Sequence, residues 1–80
     1  MNSCDLYFSS MLMAKGFKLL SSVRDPQSQR VYFSFDDNET IEGMDARQLQ
    51  SEYFSGRAMV PALKYSEAVK GLKSLCHICM

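Results

Sequence analysis

The stretch that most constrains this chain is residues 14–35, which reads as a helix end feeding directly into two alternating strands. Gly16 follows Ala14 and Lys15. Glycine takes the left-handed conformation that stops a helix, so Phe17 can fold back onto Leu12. Two runs with a period of two come next. Over residues 17–23, Phe17, Leu19, Ser21 and Val23 share one face, and Lys18, Leu20 and Ser22 share the other. Over residues 31–35, Val31, Phe33 and Phe35 oppose Tyr32 and Ser34. The polar segment between the runs opens with Asp25-Pro26, and proline presets the backbone angle of a turn. The expectation is a β-hairpin entered from a helix. No catalytic or ligand motif sits on it.

The flanking segments supply the rest of the fold. Ser3 is placed to cap a first helix, with Asp5 putting negative charge where free N–H groups point. Leu6, Tyr7, Phe8, Met11, Leu12 and Ala14 make that helix apolar nearly all round, so one side is expected on the sheet and the other on a partner or second subunit. The acidic run 36–40 breaks the strand pattern and reads as a solvated, helix-capping turn. Residues 41–44 are ambiguous, with Gly43 favouring a loop or a helical turn that does not propagate. Asp45 caps a second helix running to Phe54, with Ala46, Leu49 and Tyr53 at helical spacing and Ser55-Gly56 as its end. Residues 57–60 suit a short third strand or an extended connector. Pro61 fits the first turn of a last helix, on which Tyr65, Ala68, Val69, Leu72, Leu75 and Cys76 form a stripe while Lys64, Lys70 and Lys73 lie off it. Gly71 costs that helix roughly 1 kcal/mol relative to alanine, so a close packing contact is expected there. The architecture expected is α+β in one domain: helix, antiparallel hairpin with an optional third strand, then two helices packed on one sheet face.

Composition narrows the function classes. Eighty residues, 46% hydrophobic and 22% charged, suit an ordinary folded domain. A chain this short buries only about 60–65% of its unfolded surface, so the core is thin. Nine basic residues balance nine acidic ones, which weakens both a nucleic-acid binder with a basic excess and an acidic mimic of nucleic acid. The start, Met1-Asn2-Ser3-Cys4-Asp5, lacks the charge and apolar run of a signal peptide, and no apolar run reaches bilayer length. Three cysteines, an odd number, do not suggest a disulfide framework. A reduced, cytoplasmic protein without a membrane partner is expected.

Cys76-His77-Ile78-Cys79 is the one stretch with metal-ligand chemistry, and Cys4 or His77 would complete a tetrahedral set. A second close ligand pair is missing. A redox dithiol draws its low pKa from a helix amino terminus, and this pair trails a helix. Cys79 is not fourth from the end, as prenylation needs. Cys76 packed in the core, with no metal and no cofactor, is the simpler reading. Asp36-Asp37-Asn38-Glu39 starts like a calcium loop, but Ile41 and Arg47 occupy the positions that need glycine and glutamate. Ser9, Ser10, Ser21 and Ser22 have no histidine nearby, and no paired acid and base is visible, so no enzyme is expected. Six methionines suit a small core or an adaptable surface. Lys15, Lys18, Arg24 and Arg30 with Tyr32 would make a basic and aromatic hairpin face, the chemistry that single strands bind.

Taken in order, Asp5-Leu6-Tyr7, Met13-Ala14-Lys15-Gly16-Phe17-Lys18-Leu19, Arg30-Val31-Tyr32-Phe33-Ser34-Phe35-Asp36-Asp37, Glu52-Tyr53-Phe54-Ser55-Gly56-Arg57-Ala58 and Ala68-Val69-Lys70-Gly71-Leu72-Lys73-Ser74-Leu75 resemble a family of small bacterial and phage-encoded proteins. The likeness spans nearly the whole chain and departs at residues 41–47, where this chain is longer than the family's spacing. The family carries no assigned activity. It implies the setting of a mobile-element accessory protein, where short chains mostly act by binding. A weaker likeness is to HicA-type toxins, small ribonucleases whose chemistry needs a histidine on the sheet. Here the hairpin has none, and His77 is the sole histidine.

The functional expectation is therefore a non-enzymatic protein-binding module of a bacterial or phage system, one form of which is a stoichiometric inhibitor of a host defence complex such as CRISPR. Tyr7, Met11, Leu20 and Tyr32 are its candidate contacts. The first alternative is a nucleic-acid-binding module built on Lys15, Lys18, Arg24, Arg30 and Tyr32. The second is a homodimerising module with its seam along the first helix.

Overall fold

The computed structural model describes residues 1–78, and within them the chain is α+β. It runs β1 (Asn2–Ser3), α1 (Leu6–Lys15), β2 (Leu19–Arg24), β3 (Val31–Phe35), β4 (Thr40–Ile41), β5 (Met44–Asp45), α2 (Ala46–Phe54) and α3 (Ala62–Ile78). The hairpin β2–β3 forms as expected. The third strand is not drawn from residues 57–60, which form no strand and begin with Arg57 and Ala58 donating back to the Glu52 carbonyl, but from β1 at the other edge. Both β1 and β2 run antiparallel to β3, so they are parallel to each other with β3 between them, and α1 links one edge to the other.

α1 is capped by Asp5 rather than Ser3: Asp5 Oδ1 accepts from the N–H groups of Tyr7 (2.9 Å) and Phe8 (3.1 Å). Ser3 instead accepts from the Asp5 N–H. At the other end Gly16 sits at φ +110°, and the Phe17 N–H donates to the Leu12 carbonyl, which is the expected helix stop. Phe8 to Leu12 of α1 are all buried, because α3 and α2 cover the flank that the sequence left for a partner. Tyr7 is the one exposed large side chain left on this helix.

β3 keeps the alternation of its sequence, with Val31, Phe33 and Phe35 buried against the helices. β2 does not. A bulge inserts Leu20 between the pairs Leu19–Phe35 and Ser21–Ser34. The extra residue shifts the phase of everything after it, so Ser22 and Arg24 lie opposite the buried Phe33 and Val31, while Val23 lies opposite Tyr32. Val23, expected on the core face, is therefore 60% exposed.

The ambiguous residues 41–44 form a second, two-stranded hairpin whose central residues Glu42 (φ +53°) and Gly43 (φ +80°) are both left-handed, as a type I′ turn requires. The acidic run before it caps no helix; Asp36 closes its own turn by accepting from the Asn38 N–H. Asp45 caps α2 with a full capping box, its carboxylate accepting from the Gln48 N–H while Gln48 Oε1 accepts from the Asp45 N–H. On α3 the predicted stripe faces inward around the fully buried Leu72, and Lys64, Lys70 and Lys73 are exposed. Gly71 is exposed, and a Cβ there would meet nothing within 4 Å, so the expected close contact is absent. The core joins Phe8, Met11, Leu12 and Phe17 to Val31, Phe33 and Phe35 of the sheet and to Ala46, Leu49 and Leu72. Full burial of one such large side chain is worth about 1.5–3 kcal/mol.

Candidate functional site

The structure separates the sequence-predicted contacts. Met11 is only 6% exposed and belongs to the core, because α1 is wrapped on both flanks, so it presents no surface to a partner. Tyr7 is half exposed, and the bulge turns Leu20 out to 57%. Tyr32 is half-buried beside Val23 on the sheet face turned away from the core.

The basic residues are not gathered on that face. Lys15 Nζ lies 3.8 Å from Glu42 Oε2 at the tip of the β4–β5 hairpin. Lys18 is exposed, with its backbone N–H held by the Glu39 carboxylate. Arg24 lies on the inner side of β2, where its guanidinium donates to the Gln29 carbonyl and, at 2.7 Å, to the Cys76 carbonyl near the end of α3. It ties the hairpin to the last helix, on the opposite side of the strand from Tyr32. Arg30 is exposed in the β2–β3 loop. Cys4 and Cys76 are free thiols, and among the described residues no three acidic, histidine or cysteine side chains converge as metal ligands. Cys79, the last ligand of the sequence motif, lies outside the described residues. No helix among the described residues is long and apolar enough to cross a membrane.

A different constellation assembles where the start of α1, the end of α2 and the start of α3 meet. The ring of Phe8, fully buried, packs at 5.5 Å from Tyr53 and 5.9 Å from Phe54, and Tyr53 meets Phe54 edge-on at 5.0 Å. Tyr65 of α3 donates its hydroxyl to the Tyr7 carbonyl at 3.3 Å. Partial burial, and then the neighbouring Tyr53 and the Asp5 carboxylate, hold the Tyr65 hydroxyl above its usual pKa, so it stays a donor. Phe54 is 63% exposed despite its packed neighbours. The result is an aromatic patch in which the exposed Phe54 packs on Phe8 and Tyr53, and the exposed Tyr7 lies where its backbone carbonyl accepts from Tyr65.

Sequence periodicity catches Tyr53 and Tyr65, which lie on the inner stripes of α2 and α3. Tyr7 is already a candidate contact from its sequence; Phe54 is not, and an off-stripe aromatic at a helix end is the signal that could have found it. Two open grooves also flank the end of α1. One, of about 440 Å³, is lined by Met13, Ala14, Gly16, Lys64, Glu67 and Ala68. The other, of about 240 Å³, lies among Met44, Leu49, Arg57 and Met59. Its Arg57 is paired with Glu52 at 3.0 Å.

Compared with protein-family models, curated proteins and solved structures, the chain matches none of them.

Proposed function

We propose that this chain is a non-enzymatic protein-binding module of the kind carried by bacterial, phage or mobile-element accessory systems, acting by stoichiometric binding. Inhibition of a host defence complex of the CRISPR type is the specific form this reading favours. The observation that carries it is the exposure of Phe54 on the packed rings of Phe8 and Tyr53, with the exposed Tyr7 at the start of the same helix as Phe8. Rigid aromatic side chains contribute large contact area at little entropic cost, which is why they dominate binding energy at interfaces. On β2, Leu20 and Val23 are exposed apolar side chains as well, Val23 lying opposite the half-buried Tyr32. The nucleic-acid alternative draws less support, because Arg24 and Lys15 are engaged within the fold.

The test is affinity capture from a bacterial host lysate, with and without nuclease, using the natural chain and the variant Tyr7→Ala/Phe54→Ala. A partner that survives nuclease and is lost with the double variant, at unchanged melting temperature, is the expected outcome. Capture that disappears with nuclease would move the function to nucleic acid. A nuclease-resistant partner untouched by changes at Tyr7, Phe54, Leu20 and Tyr32 would overturn the surface assignment.

A further inference from the structure

The groove of about 240 Å³ beside the end of α1 has a chemistry of its own. Leu49, almost fully buried, gives it an apolar wall together with Met44 of β5 and Met59 after α2. Unbranched thioether side chains adapt to the shape they cover. The volume exceeds the roughly 150 Å³ that takes up a benzene ring and falls short of the roughly 300 Å³ at which sites for drug-sized ligands begin, so it suits a single large side chain. The charged residues that line it are Lys15, Arg57 and Glu52, two positive against one negative. Arg57 Nε lies 3.0 Å from Glu52 Oε2, which uses one of the five N–H groups of the guanidinium. Lys15 is placed differently. Its side chain is only 19% exposed, yet its ammonium meets one carboxylate, that of Glu42 at the β4–β5 tip, at 3.8 Å, beyond hydrogen-bond length. Among the described residues Lys15 Nζ makes no hydrogen bond, although an ammonium carries three donors. A largely covered cation with unused donors, lining an apolar hollow, suits an anion that brings its own apolar group.

We propose that this groove takes the carboxy-terminal residue of a partner chain, with its apolar side chain on Leu49 and its free carboxylate on Lys15. The proposal rests on the protein-binding reading, which makes a chain end rather than a free acid the source. A terminal residue fits because its side chain and its carboxylate leave the same Cα. An internal acidic residue does not fit in the same way. Neighbouring side chains of an extended segment point to opposite sides, so an acid next to an apolar residue faces away from the groove that holds it. A basic group would meet the like charges of Lys15 and Arg57, and a neutral one would leave the ammonium without a closer acceptor.

The experiment uses the 80-residue chain, labelled with ¹⁵N and with ¹³C at the methionine methyl groups. The probes are acetyl-Gly-Ser-Leu as the free acid, the same peptide as its terminal amide, acetyl-Gly-Ser-Ser as the free acid, and 4-methylpentanoate. The leucine acid is expected to shift the Lys15 amide and the Met44 and Met59 methyl groups, and to bind about three- to tenfold tighter than the amide. The serine acid, which lacks the apolar group, and 4-methylpentanoate, which lacks the peptide backbone, should both bind more weakly than the leucine acid. Lys15→Met keeps an unbranched side chain and should erase the preference for acid over amide. Glu42→Gln removes the competing carboxylate and should raise affinity for the acid but not for the amide. Equal binding of acid and amide by the natural chain, or shifts that bypass Lys15, Met44 and Met59, would overturn the carboxylate site. Binding of 4-methylpentanoate as tight as that of the leucine acid would overturn the chain end as its source. The protein-binding reading is decided separately, by whether Tyr7→Ala/Phe54→Ala releases the captured partner.

Discussion

Ser9 and Ser10 sit side by side on α1, both completely buried, yet their hydroxyls have opposite fates. Ser10 Oγ donates to the Leu6 carbonyl at 2.7 Å, whereas Ser9 Oγ has no hydrogen-bond partner among the described residues. A buried hydroxyl without a partner costs about 1–3 kcal/mol. Ser9→Ala removes that cost and gains a few tenths of a kcal/mol in helix propensity. Against this stands the loss of one oxygen's dispersion contacts, each about 0.1–0.2 kcal/mol. The net expectation is stabilisation by about 1 kcal/mol. Ser10→Ala gains the same propensity but forfeits a hydrogen bond worth about 1 kcal/mol, so it should be neutral to mildly destabilising. For a domain this small each kcal/mol moves the melting temperature by about 4–8 °C, so the two variants should melt several degrees apart. Thermal and urea unfolding followed by circular dichroism would show this, with unchanged urea slopes confirming that both report stability. If Ser9→Ala destabilises, or the two variants melt together, Ser9 Oγ is satisfied in the folded protein and the argument fails.

Two further outcomes follow from the same geometry. Gly71 lies in the exposed interior of α3 with open space where a Cβ would go, so Gly71→Ala should stabilise by about 0.5–1 kcal/mol; a loss in urea unfolding would mean the site is more crowded than it looks. Asp37 is held below the usual carboxylate range, first by its bond to the Met1 ammonium, 2.7 Å away. The folded state thus binds this proton more weakly than the unfolded chain. The stabilisation is fully present above the unfolded pKa of about 4 and is lost as pH falls through the lowered folded value. Asp37→Asn should flatten the stability profile below about pH 4 and leave its shape near pH 7 alone; an unchanged acid limb would refute the linkage.

How much of this fold was legible depended on whether a segment's environment was local. β3 read correctly because it is the central strand with one face covered, so period two survives intact from sequence to burial. The Asp45 cap and the Gly16 stop read correctly because caps are written within four residues. β2 misled because its alternation passes through Ser21-Ser22, and a serine pair suits either face, so nothing marks the shift that the bulge at Leu20 imposes. β1 was invisible for a different reason. Two residues have no periodicity, and Asn2 and Ser3 become a strand only by pairing with Ser34 and Phe33 some thirty residues away.

The same division decides where binding should be sought. An apolar α1 suggested a free flank, but in an 80-residue fold it is the hub that both other helices need, and its hydrophobicity is consumed internally. A core this thin cannot cover every large side chain at the helix ends. Tyr7 and Phe54 stay exposed there, Phe54 against the ring of Phe8 and Tyr7 beside the Tyr65 hydroxyl that its carbonyl accepts. Leu20 and Val23 stay exposed for a backbone reason, the change of phase in β2. Of the first pair, Phe54 is held by the rings of Phe8 and Tyr53, so it would meet a partner already ordered and lose less entropy on binding. That difference, rather than exposed area, is the reason the proposed binding surface is sought at the junction of the three helices.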